Sequence, residues 1–206
     1  MWGADAGAEE VLSGREEGAY LATMKIAYVL FDDLTLLDFT GIYDPVSRLK
    51  SQRHLPDLRW DLCALTPTVR DSFGLSVAVD KVRPDLGTYD LVIVPGGMGT
   101  RSLRHDDDFI DWLKTAAAVP QKASVCTGSL LLGAAGLLTG RRATTHFNEY
   151  ATLAPYCGEV VRERIVVDGA VTTAGAVASS LDLGLHLCRT LVGEEKTERI
   201  RRSMSY

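Results

Sequence analysis

A cysteine lies where a short apolar run gives way to a helical pattern. Residues 123–125 predict a buried strand and residues 128–138, rich in Leu and Ala, predict a helix, so Cys126 falls on the turn between them. Gly128 leaves room for a sharp bend. A nucleophile on such a strand-to-helix turn forms a nucleophile elbow, and the helix N-terminus favours the reactive thiolate. We therefore expect Cys126 to be a nucleophile, and Cys63, Cys157 and Cys188 to be packing residues.

Asp38 is the acidic residue that could assist such a nucleophile. It follows Leu36 and Leu37 and precedes Phe39, close behind the first predicted strand. Two interpretations are open. Asp38 could be a helix N-cap that accepts backbone N–H bonds. Alternatively, its apolar neighbours could desolvate the carboxylate and raise its pKa, so that it shuttles protons near neutrality.

Two adjacent glycines, Gly96 and Gly97, follow the strongest predicted strand at residues 91–94. The string V-P-G-G-M-G is neither G-x-G-x-x-G nor a Walker loop, so it does not predict a phosphate site. The glycines could make a tight turn. They could also bring backbone N–H groups close to a ligand, as an oxyanion hole requires.

His146 lies 20 residues beyond Cys126 and has two interpretations. It could reach Cys126 once the intervening helix returns along the sheet, or it could be a structural histidine. The acidic run at residues 106–108 predicts a solvated helix start. Because the chain has no C-x-x-C pair, no H-E-x-x-H and widely spaced cysteines, we expect neither a metal site nor a disulfide framework.

The elements that must position these residues follow an alternating pattern. Predicted strands are residues 26–31, 60–65, 76–79, 91–94 and 123–125, with 60–65 and 76–79 nearer an edge. Predicted helices are residues 39–50, 107–118, 128–138, 148–153 and 178–192. Residues 163–167 and 170–173 flank Asp168-Gly169 and predict a hairpin. This order predicts an α/β sandwich with a mainly parallel sheet, in which ligands bind at the carboxyl ends of the strands.

Composition and charge exclude several classes of protein. The 206 residues include 22 Lys plus Arg and 27 Asp plus Glu, so the formal net charge is −5 and a dedicated nucleic-acid binder is not expected. Residues 1–23 hold five acidic residues and one basic residue, which makes this extension acidic and the remainder nearly neutral. No apolar run is long enough for a membrane span, and the start does not fit a signal peptide. We expect a flexible acidic extension at 1–23, a single domain at 24–206 and a cytoplasmic location.

Three strings in this order resemble one family. L-L-D-F-T-G, V-P-G-G-M-G and the segment from Ser124 to His146, S-V-C-T-G-S-L-L-L-G-A-A-G-L-L-T-G-R-R-A-T-T-H, are similar to the ThiJ/PfpI superfamily, and most closely to its isonitrile hydratase branch. The resemblance runs from about Lys25 to the last predicted helix. It implies a flavodoxin-like three-layer α/β fold, a homodimer with the active site near the subunit interface, a small isonitrile-like substrate and no cofactor.

The resemblance also assigns roles by position. Cys126 would be the nucleophile, Asp38 the acid or base that hydrogen-bonds to it, and Thr127 the residue that positions the intermediate or water. Backbone N–H groups of Gly97 and Thr127 would line the anion pocket, with Gly96 and His146 beside it. A hydro-lyase would then hydrate an isonitrile to an N-formamide through a covalent thioimidate on the cysteine.

This chain differs from related branches of the superfamily at residues that bear on its function. The protease-like branch has Cys-His-Gly at the elbow, whereas this chain has Thr127 after Cys126, so protease activity is not expected. The deglycase and chaperone-like branch has a glutamate near the first helix, and here the residue is Asp38. Hydratases often have tryptophan after T-T-H, where this chain has Phe147.

Two other functions remain open. The same elbow occurs in the sensor domains of AraC-type transcription regulators, in which a helix-turn-helix module of about a hundred residues follows. The tail at residues 194–206 is too short for such a module, so a relative of that sensor domain would bind a small ligand without turnover. The other alternative is a redox sensor in which a low-pKa Cys126 oxidises to a sulfinate.

Overall fold

The computed structural model describes residues 23–206. The acidic extension predicted at residues 1–23 lies outside the described residues, apart from Thr23. The strands are β1 (Lys25–Val29), β2 (Arg59–Ala64), β3 (Thr68–Arg70), β4 (Ser76–Ala78), β5 (Lys81–Val82), β6 (Leu91–Val94), β7 (Gln121–Val125), β8 (Arg142–Ala143), β9 (Glu159–Val160), β10 (Ile165–Asp168) and β11 (Val171–Ala174).

Seven helices accompany these strands in the described part of the chain. They are α1 (Leu36–Ser51), α2 (Thr100–Leu103), α3 (Asp107–Lys114), α4 (Gly128–Ala134), α5 (Tyr150–Leu153), α6 (Ser179–Val192) and α7 (Glu194–Ser203). Short 3-10 turns occupy Leu86–Thr88, Thr115–Ala118, Phe147–Glu149 and Ala154–Tyr156. Among residues 23–206, no helix combines the length and the apolar character that crossing a membrane would require.

The central sheet has seven strands in the order β10-β11-β7-β6-β1-β2-β5. Every neighbouring pair in it is parallel except the hairpin formed by β10 and β11. β1 and β6 are apolar and almost wholly buried, as expected of central strands covered on both faces. With helices on both sides of this sheet, the predicted three-layer α/β fold and the late hairpin are confirmed.

The strand order changes direction between β1 and β6. The chain runs from β1 outward to β2 on one side, and from β6 through β7 to β11 on the other. In an open parallel sheet, the crevice for a ligand opens at the carboxyl ends of the strands beside such a switch point. The segments that follow β1, β6 and β7 carry Asp38, Gly96 and Cys126, so the fold brings the three predicted junctions to one edge.

The helix that carries Asp38 is anchored by close packing on α6. A Cβ atom at Gly41 of α1 would lie 2.1 Å from Ser180 Oγ, and one at Gly184 of α6 would lie 2.4 Å from Pro45 Cγ. Only glycine therefore allows this approach of the two helices. The thiol of Cys188 donates to the Pro45 carbonyl at 3.3 Å, in keeping with its predicted packing role.

Several predicted elements differ from the structure. Residues 76–78 are a strand, but they pair with β3 in a separate two-stranded sheet rather than at an edge of the main sheet. The helix predicted over residues 128–138 ends at Ala134. The hairpin turn falls at Gly169 and Ala170, because Asp168 still pairs with Val171. The tail after residue 193 forms α7, whose buried residues are Thr197 and Ile200.

Candidate active site

Cys126 lies on the predicted turn between β7 and α4, in a strained conformation. Its φ is +55°, a left-handed value that is costly for a residue with a side chain. Hydrogen bonds at both the amide and the carbonyl of Cys126 hold its backbone in this conformation. The Cys126 amide donates to the Ala174 and Gly175 carbonyls at 3.0 and 2.8 Å, and its carbonyl accepts from Thr145 Oγ1 at 3.0 Å and Ser129 Oγ at 3.2 Å. Backbone strain at the elbow is thus stabilised by a fully bonded peptide.

Gly128 allows the elbow to pack against the end of β6. A Cβ atom there would lie 2.2 Å from the Val94 carbonyl oxygen and 2.6 Å from that of Pro95. Real Cβ atoms do not approach oxygen so closely, so any other residue would push α4 away from the strand. The prediction that Gly128 leaves room for a sharp bend has this steric basis.

Asp38 belongs to the first turn of α1 and is not its N-cap, a position that Thr35 occupies. The side chain has no solvent-exposed surface. Its Oδ2 accepts the Gly96 amide at 3.0 Å, whereas Oδ1 has no N–H or O–H partner among residues 23–206. Of the two interpretations left open, the burial of Asp38 agrees with the desolvated carboxylate, whereas the N-cap position belongs to Thr35.

Burial controls the ionisation of Asp38. It raises the pKa of Asp38 to about 7, although the hydrogen bonds from the Gly96 amide and the Cys126 thiol act in the opposite direction. This carboxyl group can therefore gain or lose a proton near neutral pH, as a general acid or base must.

The pKa of Cys126 departs from the expectation. We predicted that the helix N-terminus would favour the thiolate, but burial and the negative charge of Asp38 raise the pKa of Cys126 to about 12. Hydrogen bonds from the Thr127 amide and hydroxyl lower it, without outweighing those two effects. With Cys126 only 5% exposed, the thiol and the carboxyl form a shielded pair in which each affects the ionisation of the other.

The two glycines do not form the predicted oxyanion hole. The Gly96 amide donates to Asp38, and the Gly97 amide donates to Thr127 Oγ1 at 3.0 Å. Both N–H groups thus have partners within the protein, so the structure gives no support to the prediction that the Gly97 amide lines an anion pocket with Gly96 beside it. Their role is steric, because a Cβ at Gly96 would lie 2.7 Å from both Asp38 Oδ2 and the Thr127 amide nitrogen, and 2.8 Å from Cys126 Cβ.

Thr127 lies at the N-terminus of α4 and is buried. Its hydroxyl accepts from the Gly97 amide and donates to the Gly97 carbonyl at 3.1 Å. Through its own amide and hydroxyl it also acts on the Cys126 sulfur. Of the donors that sequence analysis placed in an anion pocket, Thr127 is the one the structure brings to the sulfur.

His146 does not join the pair. Its Nδ1 accepts from the Asn148 amide at 3.2 Å, and its ring stacks on Phe147 with a centroid separation of 4.2 Å. Within the part of the chain that the structure describes, no hydrogen bond links it to Cys126 or Asp38. Its predicted place beside the anion pocket is therefore not supported. The residue of this segment that contacts the elbow is Thr145, whose hydroxyl donates to the Cys126 carbonyl.

A cavity adjoins the elbow. It has a volume of about 280 Å³, and Thr145 and Gly175, which both bond to the Cys126 peptide, form part of its wall together with Phe147, Tyr150 and Arg162. Another cavity of about 220 Å³ is lined in part by Gly99. Neither Cys126 nor Asp38 lines either cavity, and the first is linked to Cys126 through the hydrogen bonds that Thr145 and Gly175 make with its peptide.

Sequence analysis missed the residues that fix the elbow from outside the three motifs. Ala174 is the last residue of β11 and Gly175 follows it, and since β11 pairs with β7, strand pairing could have indicated both. Arg101 and Glu149, which form an ion pair at 2.7 Å, are 48 residues apart and carry no local signal. No group of three or more His, Cys, Asp or Glu side chains able to hold a metal occurs among residues 23–206.

Comparison with known proteins gives three findings. A model of the DJ-1/PfpI family matches residues 24–190. The chain is 37% identical over 187 residues to an isonitrile hydratase of Pseudomonas putida, a match that covers 89% of this chain and 78% of that protein. It is 29% identical over 188 residues to the HTH-type transcriptional regulator GbdR of Pseudomonas aeruginosa, covering 88% of this chain and 50% of the regulator.

Solved structures give a consistent result. The crystal structure of a ThiJ/PfpI family protein from Pseudomonas syringae superposes with a TM-score of 0.80 at 25% identity. The match covers 100% of this chain and 82% of that one.

Proposed function

Since the chain belongs to the DJ-1/PfpI family, we propose that it is a cysteine-dependent isonitrile hydratase. The observation that carries this proposal is the shielded pair of Cys126 and Asp38, whose carboxyl pKa is about 7. Such a pair offers a nucleophile and a proton carrier at one place, with no water of bulk solvent to compete. The 37% identity to an isonitrile hydratase supports the same reaction.

The first step joins sulfur to carbon. The reactive form is the pair that has lost one proton, and the remaining proton passes from the sulfur to the Asp38 carboxylate as the sulfur attacks. The sulfur of Cys126 attacks the terminal carbon of the isonitrile R–N≡C, and Asp38 delivers the proton to that same carbon. The product is a thioimidate, R–N=CH–S–Cys126, and Asp38 is left ionised.

The second step consumes water. Asp38, now a general base, takes a proton from water as the water oxygen attacks the thioimidate carbon, and the nitrogen is protonated. The tetrahedral species R–NH–CH(OH)–S–Cys126 then collapses. The C–S bond breaks, the hydroxyl proton is lost, the sulfur recovers a proton and the N-formamide R–NH–CHO leaves. The net reaction adds one water to one isonitrile.

The narrow access to the pair suits an isonitrile. Cys126 is only slightly exposed and Asp38 not at all, so a branched carbonyl group could not easily reach the sulfur. The N≡C end is a slender rod with no substituent on its terminal carbon. The nearby cavity of about 280 Å³, with Phe147 and Tyr150 in its wall, has room for an uncharged aryl or alkyl group.

Other functions have weaker support. A peroxide sensor of the type considered above needs a low-pKa thiol, whereas burial and Asp38 raise the pKa of Cys126 to about 12. A peptidase would need a histidine at residue 127. A ligand-binding relative of the regulators would keep the cavity without turnover, and the 29% identity to GbdR favours it as the second candidate.

Rates of turnover distinguish these functions. The protein is incubated with an aryl isonitrile, and formation of the N-formamide is followed by chromatography for the wild type, Cys126→Ala and the matched control Cys157→Ala. We expect turnover in the wild type and in Cys157→Ala, and none in Cys126→Ala. If the wild type binds the isonitrile but produces no N-formamide, the sensor function replaces the hydratase.

We also propose that the enzyme is a cytoplasmic homodimer with its interface close to the site. Three exposed apolar side chains adjoin site residues in sequence: Leu37 next to Asp38, Met98 next to Gly97, and Phe147 next to His146. Such side chains clustered around one edge of the sheet are typical of an interface. Sedimentation equilibrium should give the mass of two chains, and the mass of one chain would contradict this.

A further inference from the structure

The carbonyl oxygen of Gly97 is surrounded by more donors than it can bind. The hydroxyl of Thr100 donates at 2.8 Å and that of Thr127 at 3.1 Å. The Thr100 amide donates at 3.3 Å and Arg101 Nη1 at 3.4 Å. Because a carbonyl oxygen has two lone pairs, four donors compete for two acceptor positions. At least two of these donors are therefore available to another acceptor.

The hydroxyl of Thr127 is the donor that can turn away. Its oxygen is fixed, because it accepts the Gly97 amide at 3.0 Å, but its hydrogen can rotate about the C–O bond. The alternative acceptor is the sulfur of Cys126, the residue directly before Thr127 at the N-terminus of α4, and a hydrogen bond from this hydroxyl lowers the pKa of that thiol. The proton of Thr127 thus has two destinations, the Gly97 carbonyl and the reacting sulfur.

Arg101 is held at the carbonyl by a partner from another loop. Its Nη2 donates to Glu149 Oε1 at 2.7 Å, and both side chains are half-buried. The Glu149 amide in turn donates to the His146 carbonyl at 2.8 Å. Glu149 therefore fixes the guanidinium between the loop after β6 and the loop after β8. The Arg101 contact is the longest of the four, at 3.4 Å, but the positive charge favours this donor over a neutral hydroxyl once the contact shortens.

We propose that Arg101, held by Glu149, is a positioning residue that occupies the Gly97 carbonyl and so directs the Thr127 proton to the Cys126 sulfur as negative charge develops there. The proposal rests on the proposed function for the later intermediates. Its first part, the stabilisation of the thiolate, applies to the protein without substrate and can be measured separately.

Alkylation of Cys126 by iodoacetamide provides that measurement. The rate is followed over a range of pH by the mass of the peptide that carries Cys126, which separates it from the other thiols. We expect Arg101→Met to slow alkylation by about 3- to 10-fold at a fixed pH, because each tenfold change corresponds to about one unit of thiol pKa. The control Arg142→Met, which breaks the ion pair with Glu159, should leave the rate unchanged.

The variant Glu149→Gln shows whether Arg101 affects alkylation through its position at the Gly97 carbonyl or through its positive charge. If Arg101 acts only through its positive charge, removing the negative charge of Glu149 should speed alkylation. If Arg101 acts by occupying the Gly97 carbonyl, Glu149→Gln releases the guanidinium and should slow alkylation, as Arg101→Met does. Faster alkylation in Glu149→Gln would overturn the proposal.

The Thr127→Val variant tests whether the effect of Arg101 on the sulfur depends on the Thr127 hydroxyl. In Thr127→Val the hydroxyl is absent, so adding Arg101→Met should cause no further slowing. A full additional loss in the double variant would overturn the proposal. Arg101→Gln replaces Arg101→Met if the latter does not fold. The outcome does not depend on isonitrile turnover, so failure of the hydratase proposal would leave the alkylation result interpretable.

Discussion

Asp38 and Cys126 perturb each other in opposite directions across the backbone of Gly96. The thiol lowers the pKa of the carboxyl, while the carboxylate raises the pKa of the thiol. Burial raises both, so the fully ionised pair is strongly disfavoured near neutral pH. Between the two pKa values the pair holds a single proton, and this is the state that the proposed addition to an isonitrile uses.

This coupling predicts a pH profile for turnover. Below pH 7 both groups are protonated and the sulfur cannot attack, so kcat/KM should rise with pH and level off above an apparent pKa of about 7. Asp38→Asn removes the titrating carboxyl. Its kcat should fall by roughly 10²- to 10⁴-fold, with no inflection near pH 7.

Initial rates of N-formamide formation between about pH 5 and pH 9 check this prediction. The matched control is Asp44→Asn, which alters another aspartate of α1 that is paired with Arg48 on the surface. An inflection near pH 7 that persists in Asp38→Asn would assign the titration to a different group.

Burial of Asp38 also predicts how stability depends on pH. Its pKa rises from 3.8 in the unfolded chain to about 7 in the folded protein, so the folded protein binds the proton more tightly. The resulting stabilisation is complete below the unfolded pKa and is lost as the pH rises through about 7. The free energy of unfolding of wild type minus that of Asp38→Asn should therefore fall by a few kcal/mol between about pH 4 and pH 8.

Urea unfolding of both proteins at several pH values measures this difference. A difference that stays constant with pH would mean that Asp38 titrates normally in the folded state, which would remove the basis for its role as proton carrier.

Gly96 should tolerate no side chain. Gly96→Ala places a Cβ within 2.8 Å of three atoms of the site, which should reduce stability by about 1–3 kcal/mol through overpacking and separate Asp38 from Cys126. Gly175→Ala is the control for stability, because its Cβ would meet nothing closer than 3.7 Å. Thermal unfolding compares the two variants, and equal effects would show that Gly96 is not sterically restricted.

Phe147 should affect binding rather than chemistry. The side chain is 61% exposed and lines the cavity beside the elbow. Phe147→Ala should raise KM for an aryl isonitrile by about 3- to 10-fold with little change in kcat, since it removes contact with the body of the substrate alone. Phe73→Ala, at a phenylalanine that is 93% exposed, serves as the control. A fall in kcat with unchanged KM would place Phe147 in the reacting geometry instead.

The features best predicted from the sequence are those that depend on residues adjacent in the chain. Buried strands such as β6 have an unmistakable apolar run, and the turn at Cys126 follows from the strand before it and the glycine after it. The short strands β5, β8 and β9, of two residues each, have no pattern to detect. Helix α7 was missed because most of its residues are charged and its single apolar residue, Ile200, gives no periodicity to detect.

Contacts between distant segments were beyond prediction. The amides of Gly96 and Gly97 looked free in the sequence, but they are taken by Asp38 and Thr127, which lie 58 and 30 residues away. The predicted direction of the Cys126 pKa shift was wrong for a related reason. The helix N-terminus is a local feature, whereas the burial and the carboxylate that outweigh it arise only when α1 packs beside the elbow.

The mass of the Cys126 peptide during turnover tests the central claim most directly. The protein is mixed with an excess of aryl isonitrile, quenched with acid within the first turnovers, digested and analysed by mass spectrometry. The account predicts a transient adduct with the mass of one isonitrile on Cys126, and none in Cys126→Ala. Formation of N-formamide by Cys126→Ala at the wild-type rate, or by the wild type with no adduct at any quench time, would contradict covalent catalysis by this residue.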